Sequence, residues 1–204
     1  MTANTTGAAA PKRSLDWRVV DIVVASVLGV ACGFVFLGWN AVGYAWYEAM
    51  DALTPGLGGL ATGIWLLGGI LGGLVIRKPG AAVYVEVLAA TVSAVLGSQW
   101  GISTLYSGLA QGIGVEIILA IFMYRQFNLG VTILAGMAAG WGAFVLELFT
   151  SGNLAKSFEF NMIYLVTLTI SGAILAGALG FYVVKALAKT GALDRFAVGR
   201  EQRA

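Results

Sequence analysis

The 204-residue chain carries 59% hydrophobic side chains and only 11% Asp, Glu, Lys and Arg, where a soluble domain carries about 25% charged residues, so water cannot cover its surface. About 120 apolar residues is also what six membrane spans of ~20 residues require, which makes the chain an integral membrane protein. No histidine, one cysteine and a net charge of +2 exclude His-ligated metal, a His general base, an internal disulfide and any electrostatic case for nucleic acid.

Residues 1–18 are polar, small and basic (Lys12, Arg13, Arg18) and read as a disordered cytoplasmic lead. The first apolar run, Val19 to Trp39, is longer than a signal-peptide core and has no clean cleavage site behind it, so it is a membrane helix. Within it Cys32 follows Gly29-Val30-Ala31, faintly as in a lipidation site, but glycine stands where leucine belongs and packing is the plainer role. Ala25, Gly29 and Gly33 form a stripe of small residues four apart. It admits a close neighbour, either another helix of this chain or a partner subunit. Further on, Gly43 to Leu53 sorts Tyr44, Tyr47, Glu48 and Asp51 onto one helical face and Trp46, Met50 and Leu53 onto the other, the pattern of an interfacial helix.

Five more apolar runs, near 57–76, 79–97, 104–124, 129–150 and 160–184, are each long enough to cross a ~30 Å hydrocarbon core. Arg77, Lys78, Arg125 and the basic residues from Lys185 onward join the N-terminal ones on one side, eleven of the twelve Lys and Arg. The other side holds Glu48, Asp51, Lys156 and Glu159. The positive-inside rule therefore gives an all-α protein of six transmembrane helices with both termini cytoplasmic. With no repeat or linker, the six-helix domain runs over 19–187, and a basic cytoplasmic tail follows over 188–204. Glycine, 29 of 204 residues, favours close helix packing, and the crowd at Gly68, Gly69, Gly72 and Gly73 is assigned to contacts inside the bundle.

Glu86, Glu116 and Glu147 each lie inside a predicted span, and no lysine or arginine does. A bare carboxylate in hydrocarbon is costly, so each must be protonated, hydrogen-bonded, or turned to a place where a cation arrives. Each shares its helical face with small residues: Ala82, Ala89, Ala90, Ser93 and Gly97 for Glu86, Gly108 and Gly112 for Glu116, Gly136, Gly140 and Ala143 for Glu147. All three therefore face protein. The rise per residue puts Glu86 and Glu116 at similar height, cytoplasmic of the midplane, and Glu147 near the outer surface. This spacing permits a cavity open to the outside with two carboxylates toward its floor and one near its mouth; it equally permits carboxylic acids bonded to backbone or to Gln111. Trp65 lies deeper than a membrane anchor. Trp100 and Tyr106 flank the loop above Glu86 and Glu116, and Ser98, Gln99, Asn153 and Asn161 lie near the mouth. A flat cation held between aromatic faces and carboxylates would satisfy both the charge and the burial.

The chain resembles the YkoE-type substrate-capture subunits (S components) of energy-coupling factor (ECF) transporters. The resemblance rests on Gly63-Ile64-Trp65, on Arg77-Lys78-Pro79-Gly80-Ala81-Ala82 with Glu86 following, and on Gln111-Gly112-Ile113-Gly114-Val115-Glu116. It continues at Leu134-Ala135-Gly136-Met137, Glu147-Leu148-Phe149 with Ser151-Gly152, Ser171-Gly172-Ala173 and Leu175-Ala176-Gly177, and covers most of residues 19–199. It implies a six-helix plasma-membrane subunit that captures thiamine, or its hydroxymethylpyrimidine precursor, from outside. Such a subunit works with a transmembrane coupling protein and two cytoplasmic ATPases and has no catalysis and no cofactor of its own. The implied ligand site draws on Glu86, Glu116, Trp65, Gln111, Tyr106, Trp100 and Glu147, and the implied coupling-subunit contact on Ala25, Gly29 and Gly33. At Glu147 the chain departs from the family's aspartate. The absence of a Gly-rich phosphate loop ending in Lys-Ser fits ATP hydrolysis by separate subunits.

Two other classes compete. A proton- or cation-coupled secondary transporter or channel would also use carboxylates at two heights, but the chain has no evident inverted repeat and no span broken by an interior proline. A membrane scaffold without ligand would use the glycine stripes alone.

Overall fold

A computed structural model describes residues 14–203, and every regular element among them is helical. The first helix, α1 (Val19–Leu53), runs unbroken for 35 residues. At ~1.5 Å per residue that is about 52 Å, far more than a ~30 Å hydrocarbon core. The sequence suggests a span ending at Trp39 and a separate interfacial helix over Gly43 to Leu53. The two are one rod, because no residue between them breaks a helix; α1 stops only at Thr54, which takes the extended conformation that a following proline imposes (φ −152°, ψ 122°). At the other end Asp21 accepts the Arg18 amide at 2.7 Å and caps the first turn.

The second span changes winding halfway. Residues Leu57–Leu66 form a 3-10 helix that runs directly into α2 (Leu67–Ile76). Ten residues at ~2.0 Å and ten at ~1.5 Å reach about 35 Å, so twenty residues cross with length to spare. This span is the most buried of the long apolar helices, and all of α2 is buried. Its glycines make that possible: a Cβ on Gly63 would stand 2.6 Å from Leu175 Cβ, and one on Gly72 would stand 2.7 Å from the Ala81 carbonyl.

Helix α3 (Ala81–Val95) is a shorter apolar helix of 15 residues, about 22 Å, and the connection 96–102 that follows carries Trp100. Then come α4 (Ser103–Ile121) and α5 (Leu129–Thr150), the latter capped by the Asn128 side chain on the Val131 amide. A short 3-10 turn (Asn153–Ala155) leads to α6 (Phe158–Ser171), capped by Ser157. A π-helical stretch (Gly172–Ala178) joins α6 to α7 (Leu179–Lys189) in one 32-residue rod. Five of these helical stretches are long and apolar enough to cross a membrane, and α3 is the shorter sixth.

The end of the bundle that carries both termini is tied by charge. Buried Asp21 pairs with Arg18 at 2.7 Å and with Lys78 at 2.5 Å, and Trp17 Nε1 donates to the Pro79 carbonyl at 2.9 Å. Arg77 pairs with Glu201 of α8 (Ala197–Glu201) at 2.5 Å. The expected basic tail over 188–204 is therefore folded over its described part: Leu193, Phe196 and Val198 join the main core. Most of the expected disordered lead, residues 1–13, lies outside the described residues.

The stripe of Ala25, Gly29 and Gly33, expected to meet a coupling subunit, is used inside the chain. All three are buried. A Cβ on Gly29 would stand 2.8 Å from Leu88 Cδ2, and one on Gly33 would stand 2.6 Å from Val92 Cβ, so α3 already fills the groove. Within this chain the stripe packs α1 against α3.

Candidate functional site

At the end of the bundle away from the termini, a cavity of about 390 Å³ opens among α1, the 3-10 segment and α3 to α6. That volume falls in the ~300–1,000 Å³ range of small-molecule sites. Two carboxylates line it, Glu86 from α3 and Glu147 from α5. Glu86 is fully buried and Oε2 accepts the Gly69 amide at 2.5 Å. The neighbouring acceptors orient the Gln111 amide, whose nitrogen donates to Glu86 Oε1 at 3.2 Å and to the Trp65 carbonyl at 3.1 Å. Glu147 Oε2 accepts the Tyr164 hydroxyl at 2.6 Å. Among the described residues neither carboxylate forms an ion pair. Lys156, also on the wall, places its ammonium 4.0 Å from the centre of the Phe160 ring.

Aromatic rings join end to end around the wall. Trp65 meets Trp100 edge-on at 5.4 Å, Trp100 meets Tyr44 at 5.3 Å, Tyr44 stacks on Tyr47 at 6.1 Å, and Tyr47 meets Tyr164 at 6.4 Å. The long α1 explains two of these, because its extra turns beyond Trp39 carry Tyr44 and Tyr47 over the cavity. The short α3 explains a third, since its early end brings Trp100 inward. Trp65 is held by its indole N–H on Asn40 Oδ1 at 2.8 Å, and Asn40 Nδ2 donates in turn to Ser93 Oγ at 3.2 Å. The 3-10 backbone that presents Trp65 is fixed from α6: the Gly63 amide donates to Ser171 Oγ at 2.8 Å, and that hydroxyl donates to the Leu60 carbonyl at 2.7 Å. Such a wall, fixed by bonds behind it, binds without first having to order itself.

Of the residues expected at a site, Glu86, Trp65, Gln111, Trp100 and Glu147 meet at this cavity. Tyr106 and Glu116 do not. On α4 the lining positions are Ser103, Thr104, Ser107 and Gln111, one helical face, and Tyr106 lies off that face, 58% exposed. Glu116 lies farther toward the terminal end, where Oε1 accepts the Gly80 amide at 2.7 Å and the Tyr124 hydroxyl at 2.7 Å, and Oε2 accepts the Ala82 amide at 3.1 Å. It caps the start of α3. Asn40, Tyr44, Tyr47, Thr62, Ser93 and Tyr164 line the cavity without having been expected there as site residues. For Asn40 and Ser93 the available signal was a polar side chain inside an apolar run.

Comparison with known proteins agrees with this architecture. The family model for the permease component of ABC-type cobalt transport systems matches residues 20–142. Among the described residues no group of three or more His, Cys, Asp or Glu side chains is placed to hold a metal ion. The chain is 36% identical over 190 residues, 91% of its length and 92% of the relative's, to the Bacillus subtilis (strain 168) protein YkoE, which is named as an HMP/thiamine permease protein. It also resembles the crystal structure of an S component of an ECF transporter, with a TM-score of 0.78 and 34% identity over 92% of this chain and 94% of that one. The chain belongs to this family of transporter permease components: it is an ECF-type S component, a substrate-binding, multi-pass subunit of the plasma membrane and not an enzyme.

Proposed function

We propose that the cavity captures thiamine or hydroxymethylpyrimidine (HMP) for uptake. The observation that carries this is the pair of carboxylates, Glu86 and Glu147, on one aromatic-walled cavity, neither held in an ion pair among the described residues, with Lys156 on the same wall acting on Glu147 only through space. An organic cation with a flat ring supplies what such a cavity lacks: charge for the carboxylates and a face for Trp65 and Trp100. Thiamine offers a thiazolium and an aminopyrimidine, and HMP offers the second of these. The likeness to a relative named as an HMP/thiamine permease supports the same choice.

In this reading Glu86, Gln111, Trp65, Trp100 and Glu147 contact the ligand. The terminal end, with its basic residues, faces the cytoplasm, six helices cross the membrane, and the cavity opens outward. Transport energy comes from a transmembrane coupling protein and two ATPase subunits.

Titration of the purified full chain with thiamine and with HMP tests the proposal, read as heat of binding and as a rise in melting temperature. Glu86→Gln is expected to weaken binding by about tenfold to a hundredfold, the worth of one charge-assisted hydrogen bond. Affinity unchanged in that variant rejects the site.

A further inference from the structure

Ten residues of 3-10 helix, Leu57–Leu66, make a long run of a winding that seldom passes three or four, and inside a longer helix such a stretch marks a hinge or a strained sequence. Here the two helices beside it hold it. Ser171 of α6 takes the Gly63 amide on Oγ at 2.8 Å and gives its own proton to the Leu60 carbonyl at 2.7 Å. Thr167, one turn earlier on α6, places Oγ1 2.8 Å from the Gly56 carbonyl, and Trp39 Nε1 of α1 donates to the Ala61 carbonyl at 2.9 Å. Glycine lets α6 come this near: a Cβ on Gly63 would stand 2.8 Å from Ser171 Oγ, and one on Gly59 would overlap Thr167 Oγ1.

Of these bonds the one from Gly63 decides the winding. An α-helix would send that N–H to the Gly59 carbonyl, four residues back, and an amide has one proton to give. Ser171 takes it. The same hydroxyl bridges to Leu60, three residues back, the partner that a 3-10 turn brings to Gly63. The α register is thus closed off two residues before Trp65.

The winding in turn aims the cavity wall. Side chains three apart eclipse one another in a 3-10 helix, so Thr62 and Trp65 both stand on the cavity side. In α winding three residues turn about 300°, which would set the two about 60° apart. Rewinding the whole segment would also shorten it by about 5 Å and draw Trp65 away from Asn40 Oδ1, which now accepts its indole N–H at 2.8 Å.

We propose that Ser171 is a positioning residue of the site: it does not line the cavity, but it holds the second span in 3-10 winding and so aims Trp65. The consequence for affinity rests on the reading of the cavity as a thiamine or HMP site, whereas the consequence for Trp65 does not.

Fluorine NMR on the full chain carrying fluorotryptophan reads Trp65 directly, its resonance identified by its absence from Trp65→Phe. Ser171→Ala is expected to shift that resonance and to weaken thiamine by about threefold to tenfold, the worth of one hydrogen bond or contact. Thr169→Val is the control for a hydroxyl lost from the same helix. Thr169 Oγ1 accepts Trp141 Nε1 at 2.9 Å and gives to the Leu165 carbonyl at 2.6 Å, so its loss should leave the Trp65 resonance and thiamine affinity as in the parent. Ser171→Cys keeps the volume, weakens the bonding and carries the same measurements if the alanine variant does not fold. A Trp65 resonance at the parent position in the Ser171 variant overturns the proposal, and so does a shift that Thr169→Val reproduces. A shifted resonance with thiamine affinity unchanged overturns the link from winding to binding. A parent that binds neither thiamine nor HMP removes the ligand reading, while the Trp65 resonance still decides the role of Ser171.

Discussion

Gly69 and Glu86 lie 17 residues apart, on different helices, and the Gly69 amide donates to Glu86 Oε2 at 2.5 Å. Gly69 is the third residue of α2, just past the change from 3-10 to α winding, and its N–H is a backbone donor that holds Glu86 in place. Gly68 keeps the approach open: a Cβ there would stand 2.9 Å from Glu86 Oε2 and 3.4 Å from Glu86 Cα.

Gly68→Ala is therefore expected to displace the Glu86 carboxylate and cut thiamine affinity by about tenfold, equivalent to ~1.4 kcal/mol. Calorimetric titration reads the loss. A variant that binds as tightly as the parent would show that α2 does not set the position of Glu86.

Glu116 separates structure from binding. It accepts the Gly80 and Ala82 amides at the start of α3 and the Tyr124 hydroxyl, and it does not line the cavity. Glu116→Gln turns an all-acceptor group into one with two donors, so part of the cap is lost, at about 1–2 kcal/mol of stability. Melting temperature should drop, and thiamine affinity should stay within about twofold because the two sites share no partner. A large loss of affinity at unchanged stability would restore Glu116 to the ligand.

The helical class, the apolar runs and the inward turn of the three glutamates were legible from residue spacing, because the period of a helix and the cost of a carboxylate in lipid are local facts. Depth was not legible to the same degree. A single rise per residue puts Glu116 level with Glu86, whereas Glu116 lies at the start of α3, accepting the Gly80 and Ala82 amides. Tyr44 and Tyr47 were read as interfacial because nothing local says that α1 continues past Trp39 and leans them over a cavity. The role of Tyr164 appears only when Glu147 of another helix is brought to it.

Gly29 and Gly33 test the packing of α1 on α3. Leucine at Gly33 would drive its side chain into Val92, whose Cβ already stands 2.6 Å from where the first added carbon would be. Gly33→Leu is expected to destabilise the isolated subunit by about 1–3 kcal/mol or more, the usual cost of overpacking a tight contact. Thermal unfolding of the subunit without partners checks this. A parent-like melting curve, together with loss of association with other subunits, would return the stripe to a partner.

Asp21 is the buried centre of the charge cluster at the terminal end, with Arg18 at 2.7 Å and Lys78 at 2.5 Å. Arg18 is half exposed and can turn to water, but the Lys78 side chain is 10% exposed and has no such exit. Asp21→Asn therefore leaves a buried ammonium without its counter-charge, and the expected loss is about 3–5 kcal/mol. Lys78→Met added to it removes the stranded charge and should recover most of that loss, since an apolar side chain costs nothing to leave unpaired. Denaturation of the parent, the two single variants and the double variant gives the coupling between the two residues as a thermodynamic cycle. Because α1 and the turn before α3 meet at this pair, far from the cavity, thiamine affinity measured on the folded fraction should be the same in all four proteins. If the double variant is no more stable than Asp21→Asn alone, the ion pair is not what joins α1 to that turn, and the Trp17 bond to the Pro79 carbonyl is the tie to remove next.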